Sequence, residues 1–518
     1  MREHIFKNKE LVWSFVATFV FGMMAHGYCY LNDIFSHDSM LIFQNDNDAK
    51  YGMGRFLTGI YREIRSPFTA PWLIGCLSLI WLSLAVYLLT KLFEMKQKIY
   101  IIITAALLAT NYSLTLLNAT YLHDADCYML SVLLAVTGAY FTIKYFYGFV
   151  PGGICLASSM ALYQANLPIT LMILVLWFIK KTLGNENWKR ILIYCGQVLG
   201  TGVTAFFTYK AGVWWFVLRK GIGTTGEYNS ISGAGDFSGV NIGTLCLETI
   251  KYVYDFFVNI NAYNITRVRN ATIILVLLSV GMFALKMIKG KISVWNKIFS
   301  VVAVLAIPLV INSVYFISKG MSGLFHHLMI YPFCMVYFFF LFMMSCFWQS
   351  ESIAKRSKLC VLGIWIERGI ALLFVIIILN NITTANDIYL KKSLESKATL
   401  SMMTRVVDRM EETEGYITGE TEVVIVGEVI NSTLNRSRDG FDRYNHFTGQ
   451  AVPYSVTYYK TYAQYFHYIL GYPVKMVDEG LRNEYMCREE VREMPVFPAM
   501  GSTMMLDGKL IVKLGNCG

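Results

Sequence analysis

Charge is scarce in this chain. Asp, Glu, Lys and Arg make up 15% of 518 residues against 55% hydrophobic ones, and the mean hydropathy is +0.46. A soluble chain of that length needs a far more polar surface, which excludes a single large water-soluble enzyme. The signatures of soluble catalysis are also missing: no G-x-x-x-x-G-K, H-E-x-x-H or G-x-S-x-G occurs. None of the 11 Cys stands in a C-x-x-C pair, so zinc ribbons and thioredoxin-like chemistry are not indicated. Most cysteines, such as Cys76, Cys155 and Cys334, fall in apolar stretches and read as small core hydrophobes. Cys487 and Cys517 share the tail and could pair. The net charge of +10 comes from Lys and Arg in short connectors, which is topological bias and argues against a nucleic-acid partner.

What is abundant is apolar sequence in blocks of membrane-spanning length. Arg2, Lys7 and Lys9 place the N-terminus in the cytoplasm, and Leu11 to Leu31 reads as a retained first helix rather than a removed signal. Further spans are expected near Trp72 to Leu92, Ile99 to Leu117, Cys127 to Phe146, Ile191 to Tyr209, Ala271 to Leu285, Ser300 to Ile317, His327 to Phe347 and Val361 to Leu379. Gly152 to Lys180 could be one span or two. Lys180, Lys181, Lys189 and Arg190 look cytoplasmic, as does the turn near Gly152, which asks for an out-and-back pair broken at Tyr163-Gln164-Ala165-Asn166-Leu167-Pro168. Polar, Pro-broken helix at membrane depth is tolerated only against protein or a wet cavity, so this break is a candidate site wall.

The expected fold is therefore a mainly α polytopic bundle of about 11 transmembrane helices, N-terminus in and C-terminus out. Residues 1–380 form the membrane domain, with large outer loops at about 32–71 and 213–270. Residues 381–518 form a small extracytoplasmic α/β domain: a helix over Asp387 to Glu412, a buried strand at Glu422 to Gly427, and a turn at Leu506-Asp507-Gly508-Lys509 before a strand at Leu510 to Leu514.

Acids gather at the outer face. Asp33, His37 and Asp38 follow the first span, and His123, Asp124 and Asp126 lie between the third and fourth. Such carboxylates could act as general base toward a hydroxyl, or hold a divalent metal such as Mg or Mn through oxygen ligands, with Asp38 and Asp126 as the candidate pair. The competing reading is a solvated loop. Arg55, following Gly52 and Gly54, suits a phosphate, against simple snorkelling to headgroups. His326 and His327 open a span from outside and could reach the same phosphate or a sugar, or only cap an interface. Tyr163 and Gln164 at the helix break need polar partners, which could be substrate or a neighbouring helix. Gly221 to Gly226 fits the letters G-x-G-x-x-G but has no βαβ unit around it.

Together Asn32-Asp33, His37-Asp38, Gly54-Arg55-Phe56, Pro71-Trp72-Leu73-Ile74-Gly75, Asp126 before Tyr128, Tyr163-Gln164-Ala165 and the closing Gly508-Lys509-Leu510-Ile511-Val512-Lys513-Leu514 resemble the bacterial glucosyl transferase II family. The likeness is patchy but spans nearly the whole chain. It implies a GT-C-type integral-membrane glycosyltransferase of the bacterial plasma membrane. Such an enzyme takes a polyprenyl-phosphate-linked sugar, often glucose, and transfers it outside the cytoplasm to a surface glycan or teichoic-acid-like acceptor. On the class pattern Asp38 is the first candidate base and Asp33 the second, with Asp124 and Asp126 orienting the acceptor or a metal. Where family members often carry two adjacent acids, this chain has His37 before Asp38.

The rival class is a lipid-linked oligosaccharide flippase or transporter. Transport predicts polar and charged groups near the midplane of several helices, whereas the acids here sit at the outer edge. A sensor or scaffold whose tail binds a partner would leave the loop acids dispensable.

Overall fold

The computed structural model describes residues 8–40, 48–222, 237, 239–261, 263–318, 327–351, 358–428, 441–444, 457 and 459–516. The chain divides into two compact units. One comprises Met1–Leu31, Asn47–Thr115 and Asp124–Ala385; the other comprises Asn32–Asp46, Leu116–His123 and Asn386–Gly518.

The first unit is helical. Its elements are α1 (Lys9–Tyr30), α2 (Phe56–Arg65), α3 (Pro71–Leu92), α4 (Lys98–Ala109), the start of α5 (Tyr112–Tyr121), α6 (Ala125–Lys144), α7 (Phe149–Tyr163), α8 (Leu167–Leu183), α9 (Trp188–Phe216), α10 (Ile242–Val258), α11 (Thr266–Lys289), α12 (Val294–Ile311), α13 (Cys334–Glu351) and the start of α14 (Lys358–Glu411). Local chemistry sets several starts. The side chains of Asn8, Asn187, Asn241 and Ser293 each accept a hydrogen bond from the first turn they cap, and Pro71 and Pro168 stand at the opening turns of α3 and α8.

Among the described residues eight stretches are long and apolar enough to cross a membrane, so the chain is a multi-pass membrane protein. The expectation was about eleven. The smaller number reflects how the apolar sequence is joined: Lys98–Lys144 is 47 residues and Phe149–Leu183 is 35, and each holds two of the expected spans. At 1.5 Å per residue the longer reaches roughly 70 Å, more than twice the ~30 Å hydrocarbon thickness. The helix Tyr331–Cys346 is apolar but shorter than the rest. The expected loop at 213–270 has structure of its own. It contains α10, whose Leu245, Thr249 and Val253 recur every fourth residue and are buried, while Asn241 caps the start. The 32–71 loop likewise contains α2 and the short helices His37–Met40 and Asp48–Gly52.

Small residues let the helices approach. α3 packs on α1 and α6, α6 on α7, and α7 on α9. Gly75 lies against the ring of Tyr30, and Gly153 faces Thr204 so closely that a Cβ there would stand 2.5 Å from it. Hydroxyl pairs cross the same seams, Ser131 with Ser159 at 3.0 Å and Thr142 with Thr201 at 2.8 Å.

At the end of α3 marked by Lys91, the connectors meet. Lys180 pairs with Glu94 at 3.3 Å, and Lys181 and Arg190 flank Glu186. Asn185 accepts from Ser293 N–H and the Asn296 amide. The opposite end of α3 follows α2 and faces the head of α6.

The second unit is built on a four-stranded sheet of order β2-β1-β4-β3: β1 (Glu422–Val426), β2 (Lys475–Met476), β3 (Thr503–Leu506) and β4 (Lys509–Lys513). β1 runs parallel to β2 and β4, and β3 pairs antiparallel to β4 through Asp507-Gly508, both at positive φ as a two-residue hairpin turn requires. Alternation along the strands gives two packed faces. Val423, Ile425, Leu510 and Val512 meet Met402, Val406 and Met410 of the α14 end, with Phe466 and, from the first expected loop, Met40. Val424, Val426 and Ile511 meet Tyr485, Val491 and Met494. The α/β expectation for the tail and its strand and turn positions hold. The expected helix over Asp387 to Glu412 continues the last span as α14 rather than starting anew. Cys487 is exposed, and its expected partner Cys517 lies outside the described residues.

Candidate active site

Two carboxylates are sealed at the head of α6. Asp124 and Asp126 have no solvent exposure, which overturns the reading of this segment as a solvated loop. A carboxylate in that position is costly unless cations and donors meet it, and α2 supplies most of them, with Lys50 from the short helix before it. Asp124 faces Lys50 Nζ at 2.8 Å and Arg62 Nε at 3.7 Å. Asp126 faces the Arg65 guanidinium at 3.2 Å, accepts from the Tyr61 hydroxyl at 3.0 Å and from Cys127 N–H at 3.0 Å. Trp81 of α3 donates its indole N–H to Tyr61 at 3.2 Å. Burial, with Asp126 beside it, raises the Tyr61 phenol well above its ordinary range, so it remains a donor.

The helix break forms the adjoining wall. Tyr163 is extended at φ −158°, ψ 105°, and the chain resumes through the 3₁₀ turn Gln164–Asn166. Arg55, the residue before α2, donates Nε to Gln164 Oε1 at 3.1 Å and lays its guanidinium 4.9 Å from the Tyr163 ring centre. Gln164 donates to Met53 O at 2.7 Å and to the Tyr209 hydroxyl at 3.2 Å, and Tyr209 in turn donates to Gly54 O at 3.1 Å. Gly54 sits at φ 73°, where glycine bends the chain without strain. The Tyr163 ring packs at a tilt against Tyr128 of α6, 4.4 Å between centroids, and Asn166 donates to Tyr128 O at 3.2 Å. α2, the head of α6 and the break thus make one site.

Of the residues expected from sequence, Asp124, Asp126, Arg55, Tyr163 and Gln164 lie in this site. His327 stands elsewhere, edge-on to Tyr112 at 6.2 Å and Tyr263 at 5.6 Å. In the second unit, Asp33 is exposed, His123 packs edge-on to Tyr121 at 6.3 Å, and His37 and Asp38 open a short helix. The side chains of His37 and Asp38, and all of His326, lie outside the described residues. The sequence reading missed Lys50, Tyr61, Arg62, Arg65 and Trp81. The available signal was the spacing of Arg62 and Arg65, three apart on an amphipathic helix that follows Arg55.

Charge decides what the site can take. Lys50, Arg62 and Arg65 stand against two carboxylates, and Arg55 adds a fourth cation. Both oxygens of Asp124 and of Asp126 already face cations or donors. Among the described residues no three His, Cys, Asp or Glu side chains come together as a metal site would need. The carboxylates of Asp124 and Asp126 are engaged by the protein's own cations and donors, the side chain of Asp38, the other member of the candidate metal pair, lies outside the described residues, and the surplus positive charge suits an anion.

A family model described as Glucosyl transferase GtrII matches residues 27–344, which takes in this entire site. No curated protein and no solved structure matches the chain.

Proposed function

The chain belongs to the glucosyl transferase GtrII family, and from that premise we propose that it moves glucose from a polyprenyl-phosphate-linked donor to a surface glycan on the outer side of the bacterial plasma membrane, in the manner of GT-C enzymes. The observation that carries the donor is the cation surplus that Lys50 and Arg55, before α2, add to Arg62 and Arg65 on it: a phosphate is the anion that a lipid-linked sugar brings to that wall. Sidedness draws on the basic connectors. Lys91, Lys144, Lys180, Lys181, Lys189, Lys286 and Lys289 occupy helix ends and turns away from the site, and basic connectors stay in the cytoplasm. In this orientation eleven crossings put the tail outside.

In the proposed reaction a base takes the proton from the acceptor hydroxyl, the acceptor oxygen bonds to the anomeric carbon, and the bond from that carbon to the phosphate oxygen breaks with its electron pair. Asp38 is the proposed base and Asp33 the alternative. Arg55, Lys50 and the paired Arg62 and Arg65 meet the charge that develops on the departing phosphate. Asp124 and Asp126 hold Lys50, Arg62 and Arg65 in place instead of taking the proton, and Gln164 holds Arg55. Packed helices around the site limit water and hence wasteful hydrolysis. The test is transfer of labelled glucose from polyprenyl-phosphate-glucose by protein in lipid nanodiscs, with Arg55→Ala and Lys50→Ala beside wild type. Weakened donor binding in both variants, with folding retained, supports the reading. Unchanged donor affinity in both removes the phosphate from this wall.

A further inference from the structure

A cavity in the helical unit, apart from the site above, has the lining of a carbohydrate site. It opens where the helix is interrupted between α4 and α5, and is walled by the rings of Tyr112, Phe256, Tyr263 and Phe333 and by the amides of Asn264 and Asn381. Tyr112 and Tyr263 stack at 4.2 Å between centroids, Phe256 stacks on Tyr263 at 5.0 Å and meets Phe333 edge-on at 5.2 Å. The amides make the cavity more than an aromatic seam. Asn264 is 4% exposed, and its Nδ2 holds the carbonyls of Phe256, Phe257 and Asn259, yet its Oδ1 accepts no hydrogen bond among the described residues. The Asn381 side chain, on α14, makes no hydrogen bond there either.

We propose that this cavity binds one edge of a hexopyranosyl ring, with hydroxyls donating to Asn264 Oδ1 and pairing with the Asn381 amide while aromatic faces cover the C–H side. The space of about 40 Å³ holds on the order of three waters, the room that a vicinal diol needs. A hydrocarbon occupant would give no donor to Asn264 Oδ1 and no partner to the Asn381 amide. The cavity also borders the site described above. Tyr163, beneath Arg55, donates its hydroxyl to Leu328 O at 3.3 Å, and Leu328 follows His327, whose ring touches Tyr112 and Tyr263. The proposal deepens the glucosyltransferase reading by naming a sugar subsite. The ring would come either from the donor or from the glycan acceptor.

Saturation-transfer NMR on the full chain in nanodiscs, with methyl glucoside as probe, tests it. Wild type should saturate the ring protons. Asn381→Leu, which disturbs no internal hydrogen bond, should weaken binding roughly fivefold to tenfold, the worth of one hydrogen bond, and Asn381→Gln should restore part of it. Polyprenyl-phosphate-glucose displacing the probe assigns the ring to the donor; failure to displace it assigns the ring to the acceptor. Displacement by polyprenyl phosphate lacking sugar, no saturation in wild type, or equal saturation in Asn381→Leu each overturns the proposal. Saturation lost in Asn381→Leu by a protein that transfers no glucose would keep the subsite and refute the transferase reading instead.

Discussion

Replacing Arg65 by Met leaves Asp126 as a buried carboxylate without its cation. Both side chains are within 4% of complete burial, and breaking such a pair from one side costs ~3–5 kcal/mol. The carboxylate would keep its bonds from Tyr61 and Cys127 N–H, both at 3.0 Å, so the lower end, about 3 kcal/mol, is the expected loss. Adding Asp126→Asn removes the stranded charge while keeping an acceptor for those donors. The double variant should therefore recover to within about 1 kcal/mol of wild type. The assay is thermal unfolding in one detergent at one scan rate, followed by Trp fluorescence, because irreversible unfolding makes midpoints comparable only at a fixed rate. A single variant no less stable than the double one would refute the claim that this pair is interior and mutually dependent.

Other consequences follow from the same geometry. Gln164→Ala should lower glucose transfer more than stability, because Gln164 holds Arg55 at 3.1 Å and ties it to Met53 and Tyr209; transfer kinetics beside unfolding midpoints check this. Gly153→Val should destabilise by about 1–3 kcal/mol or more, since even a Cβ meets Thr204 at 2.5 Å and the Thr201 carbonyl at 2.9 Å, and the purified yield and midpoint should both fall. In the tail, hydrogen bonds from Lys509 and Lys475 lower the Glu422 carboxyl below its ordinary value. That stabilisation is complete above the ordinary carboxylate range and is lost as pH falls through the depressed value. Hydrogen exchange in β1 and β4 should therefore differ between wild type and Glu422→Gln at neutral pH and converge in acid; a constant difference would contradict the pairing.

Much of this was legible in the sequence because the bilayer imposes a length on each apolar block. The helix break was legible as well, since Pro168 and the polar Gln164 and Asn166 cannot sit in an ordinary span. Glu422 to Val426 and the Asp507-Gly508 turn carried strand and hairpin signals of their own. α10 was hidden because its polar residues and Gly/Ser-rich flank look like loop, and only the spacing of Leu245, Thr249 and Val253 betrays it. The site was half legible. Asp124, Asp126, Arg55 and Gln164 stood out by type, but Arg62 and Arg65, which meet the two acids, lie on a helix about sixty residues earlier in sequence, and pairing at that range is a property of packing. His327 was read as reaching a phosphate or a sugar because it opens a span, and packing places its ring edge-on to Tyr112 and Tyr263.

The central claim is glucosyl transfer from a lipid-phosphate donor, and the direct measurement follows labelled glucose from polyprenyl-phosphate-glucose into a surface-glycan fraction, with wild type and Asp38→Asn in nanodiscs. The account predicts transfer by wild type and its loss in Asp38→Asn with donor binding retained. Wild-type protein that binds the donor yet leaves all the label on lipid across every envelope glycan fraction would contradict it.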